Sequence, residues 1–168
     1  LHLSLQSGDD MILKRMKRRH SHADTLAFIE TVRRLRPDMV FGADVIAGFP
    51  TETDDMFART CEAIAAYGLT HLHVFPFSPR PGTPAARMPQ VARDLVKERA
   101  ARLRMLGARL LEHHLAGEVG REHIVLTERG GIGRTEAFTP VRLAGTPLPG
   151  QLLPVSIAGH DGKQRIAA

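Results

Sequence analysis

Short apolar runs alternate with amphipathic stretches along the first hundred residues. His2-Leu3-Ser4-Leu5 alternates polar and apolar positions and predicts a strand over 2–6. Asp9 and Asp10 suit the start of a helix over 11–18. Leu26, Ile29, Val32 and Leu35 recur at helical spacing, predicting a helix over 21–36 that Pro37 ends. The run MVFGADVIA (39–47) reads as a buried strand of the parallel type, leaving through Gly48-Phe49-Pro50. Thr51 or Thr53 can cap a helix over 54–67, which Gly68 closes, with Glu52 expected in its first turn. A third strand over 70–75, a Pro-rich loop over 76–89 and a long helix over 91–115 complete the series. Strands separated by helices predict a parallel sheet, in which ligands sit beyond the carboxyl ends of the strands.

After Gly117 the pattern changes to short strands punctuated by Gly and Pro at the spacing of a small β-barrel or sandwich. Two domains follow from this: 1–118, α/β, and 119–168, all-β. Three strands are half of a (β/α) barrel. With a strand at residue 2 and no initiator Met, a piece of a longer protein is expected.

Composition adds a little. The net charge of +5 makes an anionic partner plausible. One cysteine, Cys61, permits no internal disulfide and suits a reducing, cytoplasmic setting. No apolar run reaches the roughly 20 residues of a membrane helix.

Candidate chemistry collects at the strand exits. Gln6 and Ser7 leave the first strand and Arg18 lies on the next helix; amide and guanidinium together suit a zwitterionic ligand, though by pattern alone these residues favour a strand-end turn beside a solvated basic face. Asp44 stands among apolar neighbours, either a satisfied core group or a ligand contact, and Gly48 admits a close backbone approach. Phe75 and Phe77 can flank a flat ring, and Arg80 can meet phosphate. His20, His22, His71, His73, His113 and His114 match no metal-site spacing, so no metal held by protein side chains is expected. Basic residues of the last segment, among them Arg121, Arg134 and Arg142, suit RNA phosphates on a small barrel.

Four strings in order, HLSLQSGDDMILKRMKR, DVIAGFPTETDDMF, FPFSPRPGTPAARMPQV and LTERGGIGRTEAFTPVRL, resemble the radical S-adenosylmethionine (SAM) methylthiotransferases, enzymes that modify tRNA or a ribosomal protein. The resemblance implies the carboxyl-terminal half of a partial TIM-like radical SAM barrel, strands four to six, followed by a TRAM module that binds tRNA. GRTEAFTPV looks most like the branch acting on N6-threonylcarbamoyladenosine beside the anticodon; the isopentenyladenosine and ribosomal-protein branches are its alternatives. By resemblance, Gln6, Ser7, Arg18, Asp44, Ile46, Gly48, Phe75 and Phe77 hold SAM, although Asp44 stands where the wider radical SAM pattern commonly has Gly. Arg80, Arg121, Arg134 and Arg142 are the expected tRNA contacts. The resemblance also implies two four-iron four-sulfur clusters and an electron donor. Such clusters need thiolates that one cysteine cannot supply, so this stretch alone is expected to be inactive. Two readings of other classes are a non-catalytic RNA-binding module and an α/β enzyme with a sugar-phosphate ligand.

Overall fold

The computed structural model describes residues Leu1–Ala168, which divide into two compact units, Leu1–Gly107 and Ala108–Ala168. In the first unit β1 (His2–Gln6), β2 (Gly42–Ala47) and β3 (His71–Pro76) form a parallel sheet in the order β1-β2-β3. Between them run α1 (Asp10–Arg15), α2 (His22–Leu35) and α3 (Asp54–Ala66), and α4 (Arg93–Ala116) follows a short 3-10 turn at Pro84–Arg87.

Local chemistry sets the ends of these elements. Asp9 caps α1, accepting from Ile12 N–H at 2.9 Å. The helix stops at Arg15, three residues earlier than its basic pattern suggested, because Lys17 takes a positive φ of 57° and the Lys17 and Arg18 N–H groups turn back to Lys14 O and Leu13 O, closing the helix end. Ser21 and Asp24 form a reciprocal capping box on α2. Thr53, rather than Thr51, caps α3.

The run over 39–47 is not buried on both faces. Ala43, Val45 and Ala47 are fully enclosed, whereas Asp44 and Ile46 keep partial exposure. β2 therefore has an inner face packed into a core with Leu5, Ile12, Phe57, Ile64 and Leu103, and an open face carrying the polar residue.

In the second unit, β4 (Glu122–Thr127), β5 (Ile132–Thr135), β6 (Pro140–Arg142), β7 (Leu152–His160) and β8 (Arg165–Ala167) close into a barrel in the order β4-β5-β6-β8-β7. Its core is small: Val125, Val141 and Ile157, with Leu143, Val155 and Ala167 packed around them. Beside it lies a buried ionic cluster. Arg165, 1% exposed, donates to Glu118 Oε2 at 2.7 Å and to Thr135 Oγ1 at 3.0 Å. Arg121 donates to Glu118 Oε1 at 3.0 Å. His123 Nε2 lies 2.8 Å from Glu118 Oε2 but out of line for a hydrogen bond.

Burial pushes the imidazoles of His114 and His123 below the ordinary histidine value, and Arg165 pushes both the same way. The unfolded chain thus takes up protons first, near 6.5, and the folded barrel only at lower pH. Stability of the second unit is expected to fall as pH drops below about 6.5, and replacing both histidines with Gln to flatten that decline. Thermal melts from pH 7.5 to 5 read this directly; a profile equally steep without the histidines would remove them as its cause.

Candidate functional site

The exits of the three strands are built by unusual backbone. Gln6 has a positive φ of 69° in a tight turn where the Ser7 N–H reaches Leu5 O at 2.9 Å, and the pairing of β1 with β2 slips just before it. Gly8 is required next: a Cβ there would lie 2.6 Å from the Ala63 side chain. At the end of β2, Gly48 has a φ of 72°, and its N–H donates to Glu52 Oε1 at 3.1 Å.

Glu52 is not in the first turn of α3. It precedes the cap, and its side chain turns inward to 2% exposure. Arg99, equally buried, donates to Glu52 Oε1 at 2.8 Å and Glu52 O at 3.0 Å, and reaches Asp54 Oδ1 at 2.6 Å. Burial pushes the Glu52 carboxyl above its usual range, with Arg99 pulling it partway back. This pair fixes the Gly48 loop from α4, and no local sequence signal connected the two residues.

A cleft of about 480 Å³ opens on the polar face of the sheet, lined by Gln6, Asp44, Ile46, Phe75, Phe77 and Arg80 among others. Phe77 meets Phe49 edge-on at 5.2 Å. Five of the eight residues expected at a SAM site thus come together, with apolar walls for a flat base and an amide and a carboxylate for polar groups.

The other three lie elsewhere. Ser7 is buried, its hydroxyl paired with Thr60 Oγ1 at 3.2 Å and accepting from Asp9 N–H at 3.2 Å. Arg18 lines a separate cleft with Leu3, Ser4 and Phe28, and donates to Ser4 O at 2.8 Å. Gln6 and Arg18 therefore line different clefts, and the guanidinium gives one of its donors to a strand carbonyl. Gly48 is outside the lining of the main cleft.

Among the expected RNA contacts, Arg121 pairs with Glu118, and Arg134 donates to Glu128 Oε1 at 2.9 Å beneath exposed Phe138. Arg142 lies exposed on β6, and Arg80 stands in the cleft. Cys61, half-buried within α3 and pushed up in pKa by burial, is the sole thiol. The donor set of this chain does not fit an iron–sulfur cluster.

His73 does not stand with His71 alone. His71 Nδ1 meets Thr70 Oγ1 at 2.7 Å, whereas His73 and His2 both turn to Asp44. The positions 2, 44 and 73 form no sequence motif; the parallel sheet register brings them together.

Residues 1–64 match the Radical SAM superfamily. Among solved structures, the fold is similar to coproporphyrinogen III oxidase (HemN) from Escherichia coli, a radical SAM enzyme, with a TM-score of 0.50 and 22% identity over 64% of this chain and 26% of that one. The sequence resembles tRNA methylthiotransferases more closely. It is 49% identical over 160 residues to the threonylcarbamoyladenosine tRNA methylthiotransferase MtaB of Rickettsia prowazekii, covering 95% of this chain and 38% of the relative. It is 38% identical over 166 residues to the tRNA-2-methylthio-N(6)-dimethylallyladenosine synthase of Bartonella henselae, covering 94% and 36%. The Thermobifida fusca protein of that name is 45% identical over 131 residues, covering 77% and 26%. The chain thus spans well under half the length of these relatives, and its resemblance is to the radical SAM methylthiotransferases.

Proposed function

We propose that the protein to which this chain belongs inserts a methylthio group at carbon 2 of N6-threonylcarbamoyladenosine in tRNA. The observation that carries this reading is the 49% identity over 160 residues to a relative named for that activity. In it, residues 1–118 supply the second half of a radical SAM barrel, and residues 119–168, with the closed five-strand barrel, act as a TRAM-like tRNA grip. SAM, when bound, supplies the radical chemistry of this enzyme class. This chain would hold it in the cleft these five residues line, with Ile46, Phe75 and Phe77 offering apolar surface to the adenine and Gln6 and Asp44 offering an amide and a carboxylate to polar groups. Ser7, Arg18 and Gly48 support the pocket through the turns and carbonyls they hold. The two iron–sulfur clusters take their thiolates from outside these residues, and an electron donor serves them. Arg80, Arg121, Arg134 and Arg142 meet tRNA phosphates, so binding weakens with salt. The setting is cytoplasmic.

Deleting the gene and measuring tRNA nucleosides by mass spectrometry tests the reading. Loss of the 2-methylthio form with accumulation of threonylcarbamoyladenosine is expected. The matches at 38% and 45% favour dimethylallyladenosine as the second reading. Loss of that 2-methylthio base instead would select it, and unchanged tRNA would sink both.

A further inference from the structure

We propose that His2, Asp44 and His73 form a binding site for one divalent transition-metal ion of the zinc class. Each residue comes from a different strand of the sheet, β1, β2 and β3 in turn. Asp44 pairs in register with His73, and His2 pairs with Gly42, two residues before Asp44. All three side chains therefore project from one face. His2 Nε2 lies 2.9 Å from Asp44 Oδ1, and His73 Nδ1 lies 3.3 Å from the same oxygen. The three candidate ligand atoms lie within 4.8 Å of one another.

As the residues stand, His2 and Asp44 share a hydrogen bond, and both separations are near the spacing that metal ligation requires. Zinc holds imidazole nitrogen and carboxylate oxygen at about 2.0–2.2 Å, which puts neighbouring tetrahedral donors about 3.3 Å apart. Two neutral imidazoles and one carboxylate suit zinc, cobalt(II), nickel(II) and iron(II), whereas magnesium and calcium prefer all-oxygen sets. The imidazole rings are tilted by 38° with centroids 4.7 Å apart. Gly42 contributes to the room: a Cβ on it would press on His2 Nδ1 at 2.9 Å.

Access is open. The three side chains are 43%, 31% and 63% exposed, in strand order. Asp44 also lines the cleft with Gln6 and Phe75, so three protein ligands leave a coordination position facing that cleft. The ion would tie the three strands together and add a Lewis acid to the polar face of the sheet. The site shares Asp44 with the cleft assigned above to SAM, but metal binding by the three side chains is measured without the proposed methylthiotransferase activity.

Calorimetric titration of the 168-residue chain with zinc, paired with cobalt(II) absorption spectroscopy, tests the site. One ion per chain is expected, with cobalt bands of a nitrogen–oxygen set. His73→Ala and Asp44→Asn should each weaken binding at least about tenfold. The pair His113→Gln and His114→Gln should leave it unchanged. Circular dichroism establishes that each variant remains folded, and Asp44→Asn, which keeps shape and both imidazoles, serves if the alanine variant does not. Binding that survives both substitutions, that falls instead with His113 and His114, or that shows cobalt–thiolate bands from Cys61, would overturn the proposal.

Discussion

Replacing Arg99 with methionine is expected to destabilise the first unit by about 3–5 kcal/mol, lowering its melting midpoint by more than about 10 °C. The reason is the group left behind. Glu52 is as deeply buried as Arg99, and its remaining partner would be the single Gly48 N–H at 3.1 Å. A carboxylate out of water with one neutral donor is far costlier than the pair was worth. The loss should also depend on pH, with a sign that can be worked out. Burial already holds the Glu52 carboxyl above 4.5, and Arg99 opposes that rise. Without Arg99 the folded state keeps the proton more tightly still. A carboxyl raised in the folded state costs stability at neutral pH, and the cost fades as pH falls through the raised value toward the unfolded one. The Arg99→Met protein should regain stability as pH drops from 7 toward about 4.5. Adding Glu52→Gln should recover part of the loss at pH 7 and remove the pH dependence. Denaturant melts across that range measure both, and a loss below about 1 kcal/mol at neutral pH would refute the account.

Glu118→Gln is the counterpart in the second unit. There the stranded group is the Arg165 guanidinium, 1% exposed, whose charge is opposed by Glu118 alone among its hydrogen-bond partners. The expected cost is again about 3–5 kcal/mol. The consequence is larger, because a barrel whose enclosed apolar core is Val125, Val141 and Ile157 has little stability to spare. At 25 °C the variant should lose the dispersed amide resonances of β4–β8 while those of β1–β3 persist. Removing both charges, with Glu118→Gln and Arg165→Met together, should restore much of the dispersion. An intact barrel in the single variant would show that water reaches Arg165.

Both pairs bear on what the sequence could reveal. Alternation and helical spacing displayed the three strands and four helices of the first unit because those signals are local. The residues of the cleft were legible for a related reason: each lies on a strand or in the loop that follows one. Arg99 and Glu52 are 47 positions apart and meet only through packing, so Glu52 read as an ordinary helix-start charge. Arg18 read as a free cation because nothing local showed that the chain would bring Ser4 O within 2.8 Å of it. The triad at positions 2, 44 and 73 depends wholly on strand register. Short strands of a small barrel or sandwich were expected after Gly117, but their number and their closure through a parallel β6–β8 pairing have no sequence signature.

The two sheets also differ in how they can meet other molecules. β4–β8 pair all the way round, so the barrel presents no open row of backbone donors and acceptors. β1 and β3 each pair on one side only. Side chains already occupy some of their carbonyls, Arg18 at Ser4 O, His20 at Leu5 O and Arg104 at Val74 O, and Phe75, half exposed on β3, adds apolar surface to that border. On the reading proposed above, the β1 border is where a preceding strand of the same barrel would add, so the open borders of the three-stranded sheet mark where the rest of such a barrel would join it.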